Sequence, residues 1–197
     1  PSKPSIDPTT QLELGFAYIA TGATIPSNFT TVNLYLENTE WTSARSPATD
    51  PPWALASTNN PFAGTVDIEA TTAAAGNYVT LTKPAAGTEN LANYATLSFR
   101  IRPKATWANA KGLTLTWLNG TTQVGLPLVL KSNTFGFNSA TLSYQLVALP
   151  LSLFNTGQNL ITTLKAAISG GGSSIGFYLD NVILQTAADS STSSTIR

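Results

Sequence analysis

The chain of 197 residues is long enough for one domain with an ordinary hydrophobic core, and its formal net charge is +0. Charged residues make up 10% and hydrophobic residues 42%, a balance typical of a β-sandwich rather than a helical bundle. Because Cys, His and Met are all absent, disulfides, thiolate nucleophiles, Ser-His-Asp triads and ordinary zinc or iron sites are excluded.

The neutral charge argues against nucleic acid as a partner, since DNA and RNA binding needs a basic surface. No run of residues is long and apolar enough to predict a membrane span, and no signal peptide is visible. The chain starts at Pro1 rather than Met, so we expect a processed product or a piece of a longer chain.

The first part of the chain alternates between strand-like and proline-rich segments. Residues 1–11 contain three prolines and predict an arm or linker. Leu12–Ile19 and Thr31–Leu36 predict strands. Between Thr42 and Phe62, four prolines and an Asn-Asn pair predict a long surface loop. Thr65–Ala70 alternates as a half-buried strand.

On that strand, Asp67 and Glu69 are expected to face water, about 7 Å apart.

The middle of the chain continues as strands separated by turns. Leu113–Leu118 and Thr122–Leu130 flank Asn119-Gly120, a strong hairpin signal because both residues tolerate positive φ. Pro127 has no amide hydrogen and predicts an edge or bulged position.

Other predicted strands are Tyr78–Thr82, Thr96–Arg102 and Leu142–Leu149. Leu160–Ile168 fits a helix or a strand, and residues 186–197 predict a flexible tail. The whole pattern predicts an all-β, antiparallel two-sheet β-sandwich, a jelly roll, as a single domain over residues 12–185.

The segment Gly176–Gln185 is apolar on both faces and predicts a central strand, with Phe177 and Leu179 on one face and Tyr178 and Val182 on the other. Asp180 interrupts it. A carboxylate among buried aliphatic side chains needs hydrogen bonds, a cation or an ion pair to replace its hydration. Backbone hydrogen bonds or a pair with Arg100 or Arg102 would suffice, and so would a metal ion.

Several strand-core phrases resemble the jelly-roll domains of the carbohydrate-binding-module type found in secreted bacterial enzymes and in phage tail and fibre proteins. The resemblance runs from roughly Thr31 to Gln185. Glu37 stands where such domains commonly carry Asp, and Tyr144 where they commonly carry Trp. The phrases are Leu34-Tyr35-Leu36-Glu37 followed by Trp41, Pro61 to Glu69, Tyr94 to Phe99, Tyr144 to Leu151, and Phe177 to Val182.

The resemblance implies a structural calcium ion held by Asp180 with an acid from an early strand. Glu37 is the leading second ligand, with Glu40 and Asp67 behind it. Calcium takes six to eight oxygen ligands, which carboxylates and backbone carbonyls supply. The alternative is that Asp180 binds only protein groups.

Glycan binding requires exposed aromatic faces against which a sugar ring can pack. Trp53 and Trp107 are the leading candidates because both fall in predicted loops. Tyr94, Phe135 and Phe137 are weaker candidates, whereas Trp117 is expected in the core and Trp41 fits either role. For each aromatic residue, burial in the core is the competing interpretation.

Three functions follow from these expectations. The first is a non-catalytic carbohydrate-binding module of a secreted or phage host-recognition protein, with a glycan or polysaccharide as partner and an extracellular or virion-surface location. The second is a structural virion or surface-array protein that contacts other subunits through the same jelly roll. The third is a hydrolase, for which no acid pair can be named; activity on a polysaccharide that is lost on mutation of Glu37 or Asp67 would support it.

Overall fold

The computed structural model describes residues 31–48, 52–84, 87–155, 160–171 and 174–186, and the backbone of residues 12–14 and 17–19. Thr30–Ala187 form one compact unit, while the remaining residues are grouped in a second. In that second unit, Leu12–Leu14 pairs with Ala17–Ile19 as an antiparallel hairpin, so the prediction of one strand there is wrong. The predicted arm at residues 1–11, and the predicted tail beyond Thr186, lie outside the described residues.

Strands account for nearly all the regular structure of the described chain. In chain order they are β1 (Leu12–Leu14), β2 (Ala17–Ile19), β3 (Thr31–Tyr35), β4 (Thr42–Ser46), β5 (Trp53–Ser57), β6 (Asp67–Ala73), β7 (Tyr78–Thr82), β8 (Glu89–Asn90), β9 (Thr96–Pro103), β10 (Gly112–Asn119), β11 (Thr122–Lys131), β12 (Gln145–Pro150), β13 (Leu160–Ile161), β14 (Thr163–Ser169) and β15 (Ile175–Gln185). Short 3-10 turns occupy Leu91–Asn93 and Leu151–Phe154. No helix in these described segments is long and apolar enough to cross a membrane.

Two antiparallel sheets pack face to face. One has the order β11-β10-β14-β7-β4, and the other has the order β12-β9-β15-β6-β5 with β3 also paired to β15. The inward side chains of both sheets, such as Leu81, Leu115 and Phe99, form one buried apolar core. The predicted all-β sandwich is therefore confirmed.

The structure forms its hairpin and its edge strand where the sequence signals predict them. β10 and β11 form the predicted hairpin, with Asn119 opposite Thr122 and Gly120 at φ 60°. β11 has a neighbour on one side only, which accommodates Pro127. The ambiguous segment Leu160–Ile168 is extended, because β14 is the central strand of its sheet.

The segment from Thr42 to Phe62 is not the long loop that its prolines predicted. β4 is the edge strand next to β7, and β5 pairs with β6 in the opposite sheet. The prolines interrupt the chain between these strands, and the Arg45 guanidinium donates a hydrogen bond to the Trp53 carbonyl across that gap. Two short strands therefore flank a proline-rich connection.

β15 is the predicted central strand. It pairs with β9 along one edge, and along its other edge it pairs first with β6 and then, nearer its end, with β3. Its register shifts between Asp180 and Ile183, where Asn181 has φ 49°. The bulge turns Val182 towards the same core that holds Phe177 and Leu179. The prediction that Val182 shares a face with Tyr178 is wrong for this reason, since simple alternation does not anticipate an extra residue.

Candidate functional site

Asp180 is completely buried on the outer side of the six-stranded sheet. Its Oδ2 accepts the backbone N–H groups of Phe62 at 2.8 Å and Ala63 at 3.2 Å, and its Oδ1 accepts that of Asn181 at 2.7 Å. Burial raises the pKa of Asp180, while these N–H groups oppose the rise. The carboxylate therefore holds residues 58–66, which we call the covering loop, against the sheet.

Glu37 holds the other end of the covering loop. Its carboxylate accepts the Thr65 backbone N–H at 3.0 Å and the Thr65 hydroxyl at 2.8 Å. Next to this contact Gly64 has φ 68°, and a Cβ at that position would overlap Glu37 Oε1. Glycine is thus required there both for its backbone conformation and for the space it leaves.

These contacts fit the alternative in which Asp180 accepts backbone hydrogen bonds better than they fit calcium. Both predicted ligands, Asp180 and Glu37, face N–H donors that a cation would have to displace. Within the described part of the chain, no three Asp or Glu residues gather in a way that could hold a metal ion. Calcium binding at these two residues stays a prediction.

Asp67 and Glu69 do not face water, which corrects the prediction from strand alternation. Both are buried because the covering loop and its neighbours lie over them. Glu69 accepts hydrogen bonds from Ser57 and Asn59 at 2.7 Å and pairs with Lys104 at 2.5 Å, and these contacts lower its pKa although burial opposes them. Neither carboxylate is open to a substrate in this arrangement.

Asp67 is the less well satisfied of the two. Its Oδ1 is buried with no hydrogen-bond partner, while its Oδ2 lies 3.1 Å from the Tyr144 hydroxyl. That hydroxyl also donates to the Asn60 carbonyl at 2.7 Å. Burial and the nearby carboxylates of Asp180 and Glu69 raise the pKa of Asp67 to about 6. Protonated, Asp67 can donate to Tyr144 while Tyr144 donates to Asn60.

The aromatic residues predicted to bind sugar are mostly core residues, so the prediction that they are exposed is wrong. Trp53 and Phe137 are 0% exposed and Trp107 is 3% exposed. The Trp107 ring packs against Phe137 at 4.9 Å and Phe177 at 5.7 Å between centroids, and Trp53 packs edge-on against Phe177.

The other candidates differ from these three. Tyr94 is half-buried, and its hydroxyl donates to Glu89 at 2.8 Å. Phe135 is 41% exposed, and Trp41 and Trp117 lie in the core. The proline neighbours of Trp53 predict a loop, but Trp53 lies in β5, opposite Ala70 of β6. This strand pairing is not visible in the local sequence. No exposed tryptophan is therefore present among the described residues.

The outer side of the five-stranded sheet has a different character. It is a partly exposed surface on which hydroxyl-bearing side chains recur on β4, β7, β10 and β14, and we call it the hydroxyl face. Its hydroxyl-bearing members are Thr42, Ser46, Tyr78, Thr80, Thr82, Thr114, Thr116 and the buried Thr163, and Lys165 lies among them.

The strand registers place these residues in rows across the sheet. Lys165 lies between Thr80 on one neighbouring strand and Thr116 on the other, and Thr163 lies opposite Thr82. The Thr82 and Thr163 hydroxyls are 3.1 Å apart, and Lys165 Nζ lies 4.0 Å above the Tyr78 ring. Neighbouring strands are about 4.8 Å apart, so the hydroxyls form a regular array. The Thr-x-Thr pairs at 80/82 and 114/116 were the available sequence signal.

No protein-family model matches the sequence, and no curated protein matches it. The fold, however, matches solved structures over most of the chain. A crystal structure of a family 30 carbohydrate-binding module aligns with 85% of this chain and 93% of its own, at 12% identity and a TM-score of 0.59. The family 30 module of a cellulosomal cellulase of Clostridium thermocellum aligns with 80% of this chain and 98% of its own, at 11% identity and a TM-score of 0.56.

The chain has the fold of a carbohydrate-binding module. An exo-1,3/1,4-β-glucanase from a Pseudoalteromonas species contains a similar region, which aligns with 85% of this chain but only 22% of the glucanase, at 14% identity and a TM-score of 0.57. The resemblance seen in the strand-core phrases is thus confirmed at the level of the fold.

Proposed function

We propose that this protein is a non-catalytic carbohydrate-binding module that holds a glycan chain on its hydroxyl face. The observation that supports this site best is the row of Thr80, Lys165 and Thr116 across three neighbouring strands. A polysaccharide is an extended chain of hydroxyl groups, and side-chain hydroxyls can both donate to and accept from it. An array of such groups across neighbouring strands suits an extended ligand.

The proposal that the module is non-catalytic rests on where its carboxylates lie and how deeply they are buried. Glycoside hydrolysis commonly needs two acids on either side of an accessible bond. Asp67 and Asp180 are 0% exposed beneath the covering loop, and the five strands of the hydroxyl face contain no Asp or Glu. The sequence also contains no Cys or His that could replace them.

The proposal includes an extracellular or virion-surface location, since the polysaccharides that such a module would bind lie outside cells. It also includes attachment to a larger protein. The match to a 22% segment of a glucanase supports this, because there the same fold is one part of a longer chain.

The test is affinity electrophoresis and calorimetry with a panel of soluble polysaccharides, using Tyr78→Ala and the double variant Thr80→Val and Thr116→Val. Both variants should lose affinity for the bound glycan, because they remove an aromatic ring and two hydroxyls from the hydroxyl face. Phe62→Ala is the matched control, since Phe62 is 42% exposed on the covering loop of the other sheet. Equal binding by all three variants would contradict the proposed site.

A second candidate function is assembly with other copies of the chain. It is favoured by exposed leucines on two of the edge strands, Leu126 on β11 at 56% and Leu146 on β12 at 53%. Edge strands with apolar side chains are sites where a second copy can pair. Light scattering at increasing concentration tests this, and a protein that stays monomeric throughout would count against it.

A further inference from the structure

Lys165 occupies the middle of the hydroxyl face. β14 is the central strand of its five-stranded sheet, and Lys165 lies near the middle of β14 with Thr80 and Thr116 as its neighbours. Its ammonium group lies over the Tyr78 ring, which favours a cation at that place. The charge is therefore held over the centre of the surface where the proposed ligand lies.

Among the described residues, no carboxylate pairs with the Lys165 ammonium group. The five strands that form the sheet contain no Asp or Glu, and Lys131 adds a second exposed cation at the end of β11. The ion pairs found between described residues join Lys83 to Glu89 and Lys104 to Glu69. Apart from its contact with the Tyr78 ring, the Lys165 ammonium group has neither a hydrogen bond nor an ion pair with any residue in the described part of the chain.

Three of the acidic residues lie on the opposite sheet. Asp67, Glu69 and Asp180 all lie on β6 and β15, where the covering loop buries them. The outer side of the opposite sheet also carries Arg100, Arg102 and Lys104, so charges of both signs meet there, whereas the strands of the hydroxyl face carry no carboxylate. A ligand on the hydroxyl face meets only positive charge from the strands beneath it.

We propose that the ligand of the hydroxyl face is an anionic polysaccharide whose carboxylate or sulfate group binds Lys165. This inference rests on the proposed function and deepens it by naming the class of glycan. An ammonium group that meets an anion forms a charge-assisted hydrogen bond, roughly twice as strong as one between neutral groups. The neighbouring Thr80 and Thr116 hydroxyls can donate to the remaining oxygens of the same anionic group.

The experiment compares one polymer backbone with and without its charge. Binding of the whole chain to polygalacturonate and to its fully methyl-esterified form is measured by calorimetry at about 50 mM and about 500 mM salt. Dextran sulfate and unmodified dextran form a second pair, which distinguishes sulfate from carboxylate. Neutral β-glucan, mannan and xylan are included so that the proposed function is tested in the same series.

Three variants complete the design, two of which each remove one positive charge. Lys165→Gln should weaken binding to the charged polymer about tenfold or more, while Lys165→Arg should keep most of it. Arg100→Gln removes a cation from the other sheet, where Arg100 lies over Phe62, and should leave binding unchanged. Thermal unfolding of each variant checks that it is folded.

The outcomes separate the two proposals. Preference for a charged polymer that falls with added salt and with Lys165→Gln supports the inference. Equal binding of neutral and charged polymers, or equal losses in Lys165→Gln and Arg100→Gln, overturns the inference and leaves the proposed function standing. A lack of binding to every polymer in the series overturns both.

Discussion

The carboxylate of Asp180 accepts the backbone N–H of Phe62 at 2.8 Å, across 118 positions of the sequence. In Asp180→Asn, an NH2 group would replace one acceptor and leave buried donors facing each other. We expect this substitution to lower the free energy of unfolding by about 3 kcal/mol. Urea denaturation measures the loss. Glu37→Gln should cost less, since its contacts with Thr65 are exposed, and an unchanged Asp180→Asn protein would contradict the described role of the carboxylate.

Asp67 predicts a pH dependence of stability. Its pKa in the folded protein is raised to about 6, above the value of about 3.9 expected when unfolded, so the folded state retains a proton that the unfolded state releases. The resulting stabilisation is fully present below about pH 4 and is lost as pH rises through about 6. Relative to Asp67→Asn, the native protein should therefore lose on the order of 2 kcal/mol of stability between pH 4 and pH 7. If the difference in the free energy of unfolding between the two proteins stays constant across that pH range, Asp67 does not titrate as described.

Gly64→Ala should destabilise the covering loop for two reasons. The position has φ 68°, and a Cβ there would push Glu37 Oε1 away from Thr65. We expect a loss of about 2 kcal/mol in the free energy of unfolding. Gly76→Ala is the control, because Gly76 has φ 87° but nothing within 4 Å of the new Cβ. If the two variants lose the same amount, the contact with Glu37 contributes nothing beyond backbone strain.

Trp53 and Tyr78 should behave in opposite ways when shortened to alanine. Trp53 is fully buried against Phe177, so Trp53→Ala should lower stability by about 4 kcal/mol and reduce binding only through unfolding. Tyr78 is partly exposed on the hydroxyl face, so Tyr78→Ala should change stability far less while reducing glycan binding. Thermal unfolding and calorimetry on the same samples test this. A stable Trp53→Ala protein that no longer binds would restore the original sequence-based candidate.

Calcium provides a separate test of Asp180. Since its carboxylate is occupied by three backbone N–H groups, we expect calcium added after chelation to leave the melting temperature unchanged. A ligand that binds only the native state raises stability by mass action. A calcium-dependent rise that disappears in Asp180→Asn would show that the cation displaces those donors and that the predicted metal site exists.

The strands were predictable to the extent that their signals are local. Tyr78–Thr82 alternates between outward hydroxyls and inward Val79 and Leu81, and the structure has a strand with those bounds. The Asn119-Gly120 hairpin followed from backbone conformations that those two residues tolerate. The candidate site was harder to predict from the sequence, because the Thr-x-Thr pairs form one surface only when their strands are neighbours in the sheet.

By itself, the sequence determined the all-β class, the hairpin, an edge or bulged position for Pro127 and the central place of Gly176–Gln185. The tertiary structure decided that Asp67 and Glu69 are buried, that Trp53 belongs to the core and that Lys165 lies between Thr80 and Thr116. The physical reason is that alternation assigns a side chain to one of two faces of a strand. What covers each face depends on strands and loops far away in the chain, and only folding brings them together.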